Sequence, residues 1–148
     1  MKIYVIINNQ RNLPELDELI AAMWEENITY FKAGDAIRFS KCTTFSICWD
    51  KWVDDKRWTD HSKFKEYIYF ELPCNPSLIE PILIETTDDA VFVDKRAFLK
   101  ASYYIAKKAG GKISFDKKFW VTPDDFMNKN KDILNISFKD AIEVSLFE

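Results

Sequence analysis

The chain predicts a single α+β domain over residues 1–148. It combines a mainly antiparallel or mixed sheet of about five to seven strands with two long amphipathic helices and one or two short C-terminal helices. Three observations predict it. Short β-rich runs recur, and Lys65–Leu72 alternates cleanly, with Ile68, Phe70 and Leu72 on one face and Tyr67, Tyr69 and Glu71 on the other. Two longer segments space their apolar residues as helices do. Finally, no glycine-rich strand-to-helix turn and no unbroken βα alternation is present, which excludes a doubly wound fold.

Ile3–Ile7 is a β-rich apolar run and reads as an interior strand. Asn12 is the expected cap of the first helix, with Pro14 in its first turn and Glu15 at the capping-box position. Leu13, Leu16, Leu19, Ile20, Met23, Trp24 and Asn27 fall at helical spacing on its inner face, and Glu15, Asp17, Glu18, Glu25 and Glu26 form its acidic one. Ile28–Lys32 is ambiguous. Ala33-Gly34-Asp35 reads as a turn, and Ala36–Ser40 and Thr43–Asp50 as paired strands. Trp49–His61, WDKWVDDKRWTDH, fits no simple period and reads as an exposed or half-exposed loop. Ile82–Glu85 is a strand, Asp88-Asp89 a turn, and Val91–Val93 a short strand.

Asp94 is the expected cap of the second long helix, whose buried face is Phe98, Ser102, Ile105 and Ala109, with Leu99 and Ala106 beside it. Gly110-Gly111 reads as its stop. Ile113 and Phe115 alternate as a strand, Asp116–Lys118 turn, and Phe119–Val121 return. Thr122 caps a further helix, with Pro123 at its first position and Asp125 three residues after the cap. Segment 137–147 suits a helix capped by Ser137 and an edge strand equally.

Composition bounds the function. A length of 148 residues with 47% hydrophobic and 16% aromatic residues is enough for one core and too apolar for disorder. A net charge of -3 argues against a protein held to nucleic acid by phosphate contacts. No stretch approaches the roughly 20 apolar residues of a membrane span, and the start lacks the pattern of a signal peptide. Cys42, Cys48 and Cys74 form no CxxC pair, so reduced thiols and a cytoplasmic location are expected. No cofactor and no metal site is expected.

The sole histidine, His61, could pair with a cysteine only by long-range convergence. Of the acidic pairs, Asp88-Asp89 suits a turn, Asp124-Asp125 a helix start and Glu25-Glu26 a solvated helix face, which leaves Asp54-Asp55 without a local explanation. The segment around them interleaves Trp49, Trp52 and Trp58 with charges of both signs, the layout of an interface anchor within a polar rim. For Trp49 and Trp52 the alternative is core filling.

The run Phe98–Phe126 has the order helix, Lys-Ala-Gly-Gly, strand, short turn, aromatic strand, Thr-Pro-Asp-Asp-Phe. It resembles the C-terminal region of small α+β immunity proteins of bacterial polymorphic-toxin and contact-dependent inhibition systems. The resemblance implies a protein without catalytic residues that binds one cognate toxin domain, in many cases a basic nuclease, which an acidic partner would steer to itself. The contact residues expected are Glu18, Glu25 and Glu26 on the first helix, and Trp52, Asp54, Asp55, Arg57, Trp58 and Asp60 in the Trp segment. Two other readings stand beside it: a small enzyme with a carboxylate-based site in 49–61, and a structural or regulatory module that self-associates through exposed aromatics.

Overall fold

The computed structural model describes residues 1–25, 27–34 and 43–148. A six-stranded sheet runs in the order β2-β3-β4-β5-β1-β6. The strands are β1 (Lys2–Ile6), β2 (Tyr30–Ala33), β3 (Thr44–Trp49), β4 (Ile68–Glu71), β5 (Ile82–Glu85) and β6 (Lys112–Ser114), and every pairing is antiparallel. The helices are α1 (Leu16–Trp24), α2 (Lys51–Asp54), α3 (Phe92–Ala109), α4 (Pro123–Lys129), α5 (Lys131–Leu134) and α6 (Phe138–Ser145). The α+β class is as the sequence predicts. The expected strand Ala36–Ser40 lies outside the described residues; among the described ones β3 pairs with β2 and β4.

The register puts Ile3, Val5, Phe45, Ile47, Ile68, Phe70, Ile82, Ile84 and Ile113 on one face, all buried. Period-two alternation achieves this without long-range information. Against that face lies α3, which packs on β1, β5 and β6 and touches α1, α4, α5 and α6. Phe98, Ser102, Ile105 and Ala109 are fully buried, so the spacing gave its inward face correctly. Ser102 is tolerated there because its hydroxyl donates to the Phe98 carbonyl one turn back.

Helix ends follow local chemistry in some places and not in others. Thr122 and Ser137 accept from the N–H groups of Asp125 and Asp140, and segment 138–145 is therefore a capped helix. α1 starts later than expected. Glu15, not Asn12, is its cap, in a reciprocal capping box with Glu18, while Asn12 closes a 3-10 turn over Gln10–Asn12. α3 starts earlier. Val91 is its cap, and Val91–Val93 is no strand. The valine has no oxygen to offer, so distant groups serve the free amides: Glu66 accepts from Val91 N, Glu148 from Phe92 N and Ser145 Oγ from Val93 N. Asp94 thus sits inside the first turn, fully buried.

Trp49–His61 is not a loop: it holds α2 and a 3-10 turn over Lys56–Trp58. Cys48 is a free, buried thiol. Cys74 is disulfide-bonded, so the expectation of reduced thiols fails there, and Cys42 lies outside the described residues. No helix is long and apolar enough to cross a membrane among the described residues.

The glycine pair divides. Gly110 ends α3 with φ +66°, and a Cβ there would meet nothing closer than Asn8 Cβ at 3.7 Å. A Cβ on Gly111 would sit 1.9 Å from the Ile6 carbonyl oxygen, inside the β1–β6 pairing. Gly110→Ala should therefore cost only the left-handed penalty, about 1 kcal/mol. Gly111→Ala should cost about 3 kcal/mol through forced displacement of backbone. Urea unfolding of the two variants measures the difference, and equal losses would contradict this assignment.

Candidate protein-binding surface

At the far end of β3 the chain turns directly from Trp49 into α2, and four hydrogen bonds lock the turn. Asp54 accepts from Thr29 N, Thr29 Oγ1 and Trp49 Nε1, each at 2.7 Å. Asp50 N donates to the Thr29 carbonyl at 2.8 Å. The Asp54 carboxylate is therefore a clasp between α2 and the residue that enters β2.

Lys51 opens α2 and is fully buried, an unusual place for an ammonium. Its Nζ lies 5.9 Å and 5.3 Å from the ring centres of Trp49 and Trp58, donates to the Lys63 carbonyl, and stands 2.7 Å from Asp94 Oδ2. Trp58 meets Trp49 edge-on at 6.1 Å and His61 at 4.8 Å. Trp49 and Trp58 are therefore core residues, and Trp58 offers no surface to a partner, contrary to expectation: the buried cation draws both indoles inward.

The outward side of the same segment is different. Trp52 and Val53 are 39% and 40% exposed, and Lys56 lies over the Trp52 ring at 5.1 Å. Asp55 caps the 3-10 turn by accepting from Arg57 N, and its carboxylate takes the Arg57 fork through Nε and Nη2. That guanidinium holds the Asp55 carboxyl below the usual carboxylate range. Arg57 Nη1 reaches Glu143 on α6 at 2.7 Å. Between these elements runs a groove of about 560 Å³ walled by Ile28, Trp49, Asp55, Arg57, Phe138 and Ile142. Asp60 is exposed.

A second exposed region adjoins the first. On the sheet face opposite the helices, Phe31 pairs with Cys48 across β2 and β3. Phe31 is 47% and Tyr67 44% exposed, and the Tyr67 hydroxyl is within reach of the buried Cys48 sulfur. Burial pushes the Cys48 thiol up, so it is neutral and no nucleophile. Lys65 joins the regions: its Nζ lies 4.1 Å from the Phe31 ring centre and 3.8 Å from Asp50 Oδ1 at the start of α2. Alternation in 65–72 already sets Tyr67 on the face opposite Ile68 and Phe70, whereas Phe31 carries no such signal along the chain. Only the pairing register exposes Phe31.

Of the acidic side of α1, Glu15 and Asp17 stay exposed, but Glu18 and Glu25 are tied to α3. Glu18 accepts from Tyr104 and Lys108 of α3, and Glu25 from Arg96 and Lys100. Glu26 lies outside the described residues. Asp54, Asp55 and His61 each serve separate local contacts; His61 Nδ1 accepts from Lys63 N. Among the described residues no group of three or more His, Cys, Asp and Glu side chains could hold a metal ion. Comparison with protein-family models, curated proteins and solved structures finds no match.

Two outcomes follow for these carboxylates. Asp54→Ala leaves the buried Trp49 Nε1 and the Thr29 groups without their acceptor, and should lower stability by about 2 kcal/mol in urea unfolding. Hydrogen bonds from Lys108 and Tyr104 pull the Glu18 carboxyl from 4.5 to about 2. A lowered folded-state value stabilises fully above the unfolded value and is lost as pH falls between about 4.5 and 2. Glu18→Gln should therefore flatten the acid limb of the stability profile in that window and leave the profile near neutrality parallel to the parent.

Proposed function

We propose that this chain is an immunity-type inhibitor that binds a cognate bacterial toxin domain by protein–protein contact. One observation carries the reading: Phe31, Tyr67 and Trp52 stand 39–47% exposed on backbone that is tied down beneath them. Asp54 clasps α2 to β2, Lys51 anchors α2 from inside, and β2 and β3 are paired through four residues each. Aromatic anchors on rigid elements lose little freedom when they bind, which is the property of interface hot spots. The rim around them carries Lys56, Arg57, Asp55, Lys65 and Glu143, charges of both signs suited to fixing register. The resemblance of Phe98–Phe126 to immunity proteins supplies the partner class, and the net charge of -3 suits a basic partner such as a nuclease.

Cytoplasmic residence belongs to this reading. The bond at Cys74 pulls the other way, toward an oxidising compartment. Thiol alkylation of protein taken directly from cells, with and without reductant, separates the two.

The reading is tested by co-expression with the toxin domain encoded beside it. The pair should co-purify, and cells should survive the toxin. Phe31→Ala, Tyr67→Ala and Trp52→Ala should each weaken binding roughly tenfold or more with the fold intact by circular dichroism. Failure to co-purify together with unprotected cells overturns the reading. Full protection by the triple variant would move the contact surface elsewhere.

A further inference from the structure

Beneath the proposed surface lies a buried cluster that its binding role does not require. Asp94 and Lys51 are both fully buried, with Lys51 Nζ 2.7 Å from Asp94 Oδ2. Glu66, itself buried, faces the same point from the segment before β4, and its carboxyl is within hydrogen-bond reach of Asp94. The two carboxyls differ sharply in their donors. Glu66 Oε2 accepts from Val91 N at 3.0 Å, and Oε1 accepts from Thr87 Oγ1 at 3.3 Å and lies 3.1 Å from Lys63 Nζ. Among the described residues Asp94 accepts from no backbone amide, and its one close donor is the buried Lys51 ammonium. Two interacting buried carboxyls beside one fully buried ammonium do not both ionise readily. The donor-rich one keeps the charge, and the donor-poor one satisfies an oxygen by carrying a proton and giving it to its neighbour.

We propose that Asp94 is protonated and donates to the Glu66 carboxylate over Lys51, and that loss of this proton as pH rises loosens the segment 50–58 that presents Trp52. The proton holds three elements together: α3 through Asp94, the β4 approach through Glu66 and α2 through Lys51. Other charges face the cluster. Asp50, which caps α2, is paired with Lys65. Lys63 is shared between Glu66 and Asp89, His61 accepts from Lys63 N, and Glu148 accepts from Phe92 N at the start of α3. Lys95 is the next residue of α3 and is half-buried.

Burial pushes Asp94 up, only partly offset by Lys51, and Glu66 adds to the rise; the carboxyl reaches about 7. Burial also pushes Glu66 up, but the Val91 amide, Asp94 and Lys63 outweigh it and hold its carboxyl below the usual range. A raised acid binds its proton more tightly folded than unfolded. Its contribution is therefore full below the unfolded value of 3.8 and is lost as pH rises toward about 7. Between pH 6 and 7 the carboxyls with lowered values are ionised in both states and add little slope; nearer pH 5 the unfolded glutamates, with an ordinary value of 4.5, bind some protons and oppose the Asp94 effect.

The test is urea unfolding of the intact chain at pH 5, 6, 7 and 8, with hydrogen exchange of residues 50–58 at the same pH values. The unfolding constant should rise by up to tenfold per unit from pH 5 to 7 and then level off, and amide protection in α2 should fall in parallel. Asp94→Asn keeps the shape and mimics the protonated acid, so both pH effects should vanish. A parent profile that is flat from pH 5 to 8, or an Asp94→Asn profile that keeps the parent slope, overturns the proposal. Side-chain carboxyl carbon shifts in the parent give an independent reading: one aspartate should titrate above pH 5, and in Glu66→Gln its midpoint should move down. If no aspartate titrates above pH 5, the proposal is wrong even if Asp94→Asn fails to fold.

Discussion

An ammonium group sealed inside the protein sets the terms for everything around it. Lys51 has no access to water, and an isolated charge in that position would cost several kcal/mol. It is held by Asp94, by the Lys63 carbonyl and by the faces of two indoles. Each of these partners comes from a different element. To surround one lysine, α3 must start at the sheet end, the segment before β4 must fold inward, and Trp58 must leave the surface. Such a cluster is weak as a source of net stability, but removing one partner strands the others.

The start of α3 shows the same dependence. A helix capped by valine has no local means of satisfying its first amides, and Glu66, Ser145 and Glu148 provide them from remote parts of the chain. The carboxylates gain from the positive end of the helix dipole as well as from the hydrogen bonds. Because Ser145 belongs to α6 and Glu148 follows it, the end of the chain is fastened to the centre of the helical layer. Glu18 and Glu25 fasten α1 to the same helix through its basic side chains. α3 is thus held along its length by groups that lie far away in sequence.

This arrangement separates what is fixed from what is offered. Inside, charges are matched and indoles buried. Outside, α2 shows Trp52 and Val53, and the sheet shows Phe31 and Tyr67. Those side chains sit on strands and a helical turn whose positions are determined from within. A surface of that kind can meet a partner without first becoming ordered, which favours tight and selective contact. The proton proposed for Asp94 lies directly under it, so a change in the cluster has a short path to the surface.

The class of the fold and most of its inward faces follow from the order of residues alone. Alternation in 65–72 and helical spacing in 98–109 depend only on which neighbours are apolar. The stop at Gly110 and the cap at Thr122 depend on residues within a few positions and were legible, whereas segment 137–147 fitted helix and edge strand equally and its packing made it a helix capped by Ser137. Every role that needs a partner far along the chain was set by contacts through space. Asp94 looks like a cap and is instead a buried acid, because Lys51 and Glu66 come to it. Glu18 and Glu25 look like a solvated face and are instead bonded to α3. Trp58 and Trp52 are alike in sequence, and a lysine buried between Trp49 and Trp58 separates them. Gly111 looks like the second half of a helix stop, yet its missing side chain is required by the carbonyl of Ile6 across the sheet. Local rules act over a turn of chain, whereas charge pairing and close packing act through space, and the candidate surface was set by the latter.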